Sequence, residues 1–234
     1  MVEPFIDVLC LGMWQTNCYV VGDRTTGHCA IIDPGQGGSE ALPALVEEKG
    51  YHVEALLLTH GHLDHTWSAP DLARLWPTVP IRLHEADTWM WEDPTAGMGT
   101  PKETLMQLGL AWDISGLGDQ LETYTDRSTM TLAGIAFTVM HTPGHTPGSS
   151  VFIADALGEE GVVFAGDLIF KGSIGRTDLP GGDDAQMQQS LRLMMQTQPD
   201  DRIIAPGHGE VTSMGQERRI NPFLRQYASS PRLR

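Results

Sequence analysis

Basic residues are scarce in this chain: its 234 residues hold 15 Lys and Arg against 30 Asp and Glu, a formal net charge of −15. A nucleic-acid binder needs a basic face to neutralise phosphates, so no nucleic-acid partner is expected. The excess acid reads as a solvated surface. Cysteine is sparser still. Cys10, Cys18 and Cys29 are odd in number and lack metal-ligand spacing. That argues against a disulfide framework and for reduced thiols in or near the core of a cytoplasmic protein. No apolar run approaches the roughly 20 residues that span a bilayer, so no membrane partner is expected. The opening M-V-E-P-F-I-D-V lacks the basic and apolar regions of a secretory leader. Linkers, low-complexity stretches and convincing internal repeats are also missing, and residues 1–234 read as one domain long enough for a sizeable core.

Histidine is what the chain has, and its placement is not random. Between Thr59 and His65 the sequence reads T-H-G-H-L-D-H, directly after the apolar run Ala55 to Leu58. A buried strand that ends in three imidazoles and a carboxylate has few uses other than holding metal. His60 and His62, two apart on an extended stretch, point to one side and can grip one ion. Asp64 and His65 follow on the turn and can reach a second. Neutral imidazole with carboxylate is the ligand set of zinc and similar borderline divalent ions. A polar loop that is merely rich in histidine is the bland alternative.

Further segments repeat the same grammar of strand, tight turn and ligand type. His141 to Ser149 reads H-T-P-G-H-T-P-G-S and offers His145 in a turn framed by Pro and Gly. Val162 to Asp167 is an apolar strand that ends in Gly-Asp, and Ile203 to Gly209 is another that ends in Pro-Gly-His-Gly. Ligands at the ends of neighbouring strands can converge on one sheet edge while lying far apart in sequence. A single Gly-Asp or Gly-His after a strand is more often a turn than a ligand. It is the order of all these segments that carries the signal.

That order, H-x-H-x-D-H, then T-P-G-H, then G-D, then P-G-H-G, resembles the metallo-β-lactamase fold superfamily of metallohydrolases. Within it the chain is similar to the short glyoxalase II-like (hydroxyacylglutathione hydrolase-like) proteins. The likeness includes Q-T-N-C-Y (Gln15 to Tyr19), I-I-D-P-G (Ile31 to Gly35), G-R-T-D-L-P-G-G (Gly175 to Gly182) and E-R-x-x-N-P-F (Glu217 to Phe223). It implies an α/β (α+β) fold, an αββα sandwich of two mixed sheets flanked by helices. It also implies two divalent metal ions, zinc foremost, with iron or manganese as the other options. By the family pattern His60, His62 and His145 would hold the first ion and Asp64, His65 and His208 the second, with Asp167 bridging both. The implied reaction is hydrolysis of a small-molecule thioester of the hydroxyacylglutathione (lactoylglutathione) type through a metal-bridging hydroxide, oriented by Asp64 and Asp167. Arg176 falls at about the place of a basic contact to a substrate carboxylate, with Lys171 a weaker candidate; a salt bridge from Arg176 to Asp178 is the competing assignment. Long glyoxalase II enzymes carry a further basic helical region, whereas this sequence stops soon after Asn221-Pro222-Phe223. Hydrolysis of a lactone or another ester therefore stays open. So does the single-iron persulfide dioxygenase branch, although the clean P-G-H-G turn at His208 favours two metals.

The remaining pattern predicts strands at Phe5 to Leu11, Cys18 to Val21, Cys29 to Ile32, Ala55 to Leu58, Ile81 to Leu83, Met130 to Leu132, Ile135 to Met140, Ser149 to Ile153, Val162 to Ala165 and Arg202 to Ala205. Helices are expected from Ser39 to just before Gly50, over Thr66 to Trp76 with Leu72, Leu75 and Trp76 inward, and over Asp184 to Met195. A last one is expected around Gly215 to Tyr227. Met187, Leu191, Met194 and Met195 form the buried stripe of the third. Both halves thus have strands followed by strand and helix segments, which suits two sheets covered by helices. Residues 85–125 are an irregular insertion rich in Trp and Met. They read either as a cover over the site or as a surface packed on the domain or on a second copy in a homo-oligomer. His28 and His52 are expected to face solvent. His84 and His141 are candidates for an outer-shell role.

Overall fold

The sheets explain the sequence pattern. In the computed structural model, which describes residues 2–227, the first sheet contains β1 (Pro4–Leu11), β2 (Thr16–Asp23), β3 (His28–Ile32), β4 (His52–Leu57), β5 (Ile81–His84) and β6 (Leu121–Tyr124), in that order. β1 to β3 form an antiparallel meander; β3 to β6 are parallel. The second sheet is built from β7 (Thr129–Leu132), β8 (Ile135–His141), β9 (Ser150–Ala154), β10 (Val162–Gly166), β13 (Ile203–Pro206) and β14 (Thr212–Ser213), in the order β14-β13-β10-β9-β8-β7. Along the chain between β10 and β13 lies the small separate hairpin of β11 (Ile169–Phe170) and β12 (Ser173–Ile174).

Both faces of each sheet are covered, which is why the central strands read as nearly continuous apolar runs. On β2 the side chains alternate: Tyr19 and Val21 enter the layer between the sheets, while Cys18 and Val20 face the outer layer. Ile32, Leu57, Phe137, Phe152 and Phe164 fill the inter-sheet layer. Outside the first sheet, Leu42 of α1 (Gly38–Lys49) and Leu72 of α3 (Ala69–Leu75) pack on Ile31 and Leu56. Outside the second, Met187, Leu191, Met194 and Met195 of α6 (Asp184–Thr197) pack on Val163 and Ile204. The result is a four-layer αββα sandwich. No helix among the described residues is long and apolar enough to cross a membrane.

Four expectations are corrected. The helix expected over Thr66 to Trp76 is two, α2 (Leu63–Thr66) and α3, and Leu75 is exposed at the end of α3. The last helix, α7 (Met214–Ile220), stops early because Asn221 precedes Pro222 and is driven to an extended conformation, φ −71° and ψ 116°. Only a 3-10 turn, Arg225–Tyr227, follows. Residues 85–125 are less irregular than expected. They hold α4 (Thr88–Glu92) and α5 (Lys102–Gln107), then deliver β6 to the sheet edge. Cys10 is exposed, whereas Cys18 and Cys29 are buried, and burial raises the pKa of both buried thiols.

Candidate metal centre

One edge of the sandwich collects the polar residues. Asp33 follows β3, the His60–His65 run follows β4, and Asp87 lies just beyond β5; His145 comes after β8, Asp167 after β10 and His208 after β13. β8, β10 and β13 all run the same way, so these carboxyl ends meet the ends of β3 to β5 across the inter-sheet layer. The ordinary connection of a sandwich thus gathers residues more than a hundred positions apart.

The ligand atoms fall into overlapping groups, each spanning no more than 4.8 Å: His60, His62 and His145; His60, His65 and Asp167; Asp64, His65 and His208. Within the first, His62 Nδ1 lies 2.8 Å from His145 Nε2. In the last, His208 Nε2 lies 3.2 Å from Asp64 Oδ2 and 3.2 Å from His65 Nε2. Asp167 reaches toward both, with Oδ2 3.4 Å from His145 Nε2 and Oδ1 3.2 Å from His65 Nε2.

Outer partners fix which ring nitrogen faces inward. Asp33 accepts a hydrogen bond from His65 Nδ1 at 2.9 Å. The Thr59 hydroxyl donates to Asp33 at 2.7 Å and so accepts from His60 Nδ1 at 3.0 Å. The carbonyl of Arg176 accepts from His145 Nδ1 at 2.6 Å, and that of Trp14 from His208 Nδ1 at 3.0 Å. With Nδ1 carrying the proton in all four, each Nε2 presents a lone pair to the shared centre. His60 Nε2 is buried without a hydrogen-bond partner, and so is Asp167 Oδ1. Bare acceptors of this kind, closely spaced in a buried pocket, fit a cation.

Electrostatics agree with that fit. Burial, reinforced by neighbouring His65 and His145, keeps His60 well below its ordinary pKa, and burial beside His145 brings His62 down to about 3. Both are neutral donors at neutral pH. At Asp167 burial opposes ionisation, but His65 outweighs it and holds the carboxyl well below the usual range; Asp64 is lowered in the same way. At His65 burial opposes charge, yet Asp167, Asp64 and Asp33 raise its pKa well above the ordinary value. His208 is raised too, against burial, by its bond to Asp64. The carboxylates here draw positive charge, which a proton on these two rings or a divalent ion in its place can supply; only with the ion is each Nε2 a lone-pair donor.

The side chains of the two expected substrate contacts engage acids. Arg176 makes a two-pronged pair with Asp178, both bonds at 2.7 Å, and is 60% exposed; Lys171 pairs with Glu210. His84 and His141 stack at 4.1 Å, and His141 Nε2 donates to the Pro147 carbonyl rather than touching a ligand group. Sequence reasoning gave no role to Asp33, Thr59, Asp87 or the carbonyl of Trp14. Asp33 and Asp87 do follow strands, but an Asp after a strand is ordinary turn chemistry, and a backbone carbonyl leaves no mark in a sequence.

The profile of the metallo-beta-lactamase superfamily matches residues 11–208. Hydroxyacylglutathione hydrolase GloC of Haemophilus influenzae is 37% identical over 219 residues, which is 94% of this chain and 97% of that protein. TTHA1623, solved in a di-iron-bound form, superposes with a TM-score of 0.76 at 36% identity, covering 93% of this chain and 100% of that one. BLEG-1, a B3 metallo-beta-lactamase, gives a TM-score of 0.76 at 32% identity, covering 94% and 99%. The chain belongs to the metallo-beta-lactamase superfamily of metallohydrolases.

Proposed function

We propose that the protein is a two-metal hydrolase of thioesters of the hydroxyacylglutathione type. The observation that carries the metal reading is the set of inward Nε2 lone pairs fixed by Asp33, Thr59, Arg176 and Trp14. His60, His62 and His145 would hold one divalent ion and Asp64, His65 and His208 the other, with Asp167 shared between them. Zinc suits imidazole and carboxylate; iron is the second option, supported by the di-iron form of TTHA1623. Bound divalent ions supply Lewis acidity, lowering the pKa of water and polarising a carbonyl. Asp64 and Asp167 offset the positive charge and orient the attacking water. Arg176 would meet a carboxylate on the thiol half. Its pairing with Asp178 is exposed, and such pairs exchange partners at little cost. Lys171, paired with exposed Glu210, is placed for the same exchange.

Thioester preference draws its support from the likeness to GloC. BLEG-1 supports a second reading, hydrolysis of a β-lactam amide. A screen of metal-loaded protein over lactoylglutathione, a small neutral thioester, a lactone, a β-lactam and a persulfide separates them. We expect lactoylglutathione to give the highest kcat/KM. Preference for the β-lactam would transfer the assignment, and dioxygen consumption with the persulfide would replace hydrolysis by oxidation.

A further inference from the structure

A buried carboxylate outside the ligand groups ties together the two loops that carry the first three histidines. Asp87 ends the 3-10 turn Glu85–Asp87 beyond β5 and is fully buried. Its Oδ2 accepts from the Gly61 N–H at 2.9 Å and from the Thr146 hydroxyl at 2.7 Å; its Oδ1 accepts from the Gly148 N–H at 2.6 Å. Gly61 lies between His60 and His62, while Thr146 and Gly148 follow His145. Burial pushes the Asp87 carboxyl upward, and these bonds work against it.

Asp33 plays a different part: it bonds His65 of the second group directly and reaches His60 of the first group through Thr59. Asp87 bonds the peptide between His60 and His62 and the turn behind His145, and so spans the gap that those rings must close. Only a carboxylate can do this. It offers acceptors on both oxygens, whereas an amide would set its NH2 against at least one of the donors.

Resting on the two-ion reading above, we propose that Asp87 is a positioning residue for the His60, His62 and His145 group. It holds the Gly61 peptide and the Thr146 turn at the separation that lets the three imidazoles share one divalent ion. It tunes that site's affinity separately from the Asp64, His65 and His208 site.

Cobalt(II) titration of the metal-free protein, followed by absorbance, tests this without reference to activity. The unmodified protein should show two binding equilibria; a single one would remove the two-ion reading and this proposal with it. In a His208→Ala background, which leaves the three-histidine group to be titrated, Asp87→Asn should weaken cobalt binding by about 10–100-fold. In a His62→Ala background, where that group is already broken, the same change should leave the remaining equilibrium in place. Unchanged affinity in the first background, or equal loss in both, overturns the proposal, because a merely structural carboxylate would act on both sites alike. Should Asp87→Asn fail to fold, Thr146→Val, which removes one donor, carries the same comparison with a smaller expected loss confined to the same background.

Discussion

Arg176 bears on the site through its carbonyl and, in the function proposed above, through its guanidinium, and the two call for separate tests. Its carbonyl holds His145 in the right tautomer, whichever side chain the residue carries. Its guanidinium lies at an exposed pair with Asp178, which is held down to about 2 by that partner. Arg176→Ala should therefore leave metal content intact. It should raise KM for an acyl-glutathione, lowering kcat/KM roughly 10–100-fold through the lost charge-assisted contact, while a small neutral thioester is turned over as before. Equal loss for both substrates would make the guanidinium scaffold. His84 lends itself to a pH measurement. Burial and stacked His141 push its pKa down to about 4, with Asp126 pulling the other way. The unfolded chain takes up the proton near pH 6.5 and the folded protein only near pH 4, so stability is full above about pH 6.5 and is lost as pH falls through that window. His84→Asn keeps an acceptor for the Ala86 N–H and cannot titrate. Its melting temperature should fall less between pH 7 and pH 5 than that of the unmodified protein; parallel slopes would show that His84 is not the group responsible. At this scale the candidate ligands were legible, because imidazoles after apolar strands are unusual. Asp33 and Asp87 were not: their importance lies in what they accept from, and that depends on loops distant in sequence.

At the scale of elements, the site depends on how closely the strand ends approach. Gly207 follows β13, and its N–H donates to the Gly166 carbonyl at 2.7 Å. A Cβ there would press on Asp167 Oδ1 and lie 2.6 Å from His65 Cε1, so the turn can bring His208 in only if residue 207 has no side chain. Asn17 and Tyr19 of β2 hold the same turn, donating to the Pro206 carbonyl at 3.0 and 2.7 Å. Gly207→Ala should cut bound metal below the unmodified stoichiometry by elemental analysis, more than a change on the exposed helix face such as Leu75→Ala. Full metal content in the Gly207 variant would mean that this approach is not needed. The central strands and α6 were readable from their apolar runs and stripe. β6 was not: as an edge strand with Glu122 and Thr123 exposed, it shows no run and no inward alternation. Leu75 misled for a related reason, since apolar character does not place a residue inward when it is the last of its helix.

For the molecule as a whole, the sandwich puts its His and Asp cluster at one end and its apolar mass elsewhere. The formal charge of −15 includes Asp64 and Asp167, which two divalent ions would offset locally, so the overall charge says little about the field a substrate meets. The apolar layers follow from patterning, whereas the strand order does not, and in the function proposed above the substrate is chosen at the rim, where the exposed pair of Arg176 with Asp178 sits. The most direct test of the central claim is the rate of lactoylglutathione hydrolysis by chelator-stripped protein as zinc or iron(II) is added back in known equivalents. The two-metal thioesterase account predicts negligible activity without metal and a rate that levels off at two equivalents per chain. Saturation at one equivalent, or no hydrolysis at any loading, would contradict it.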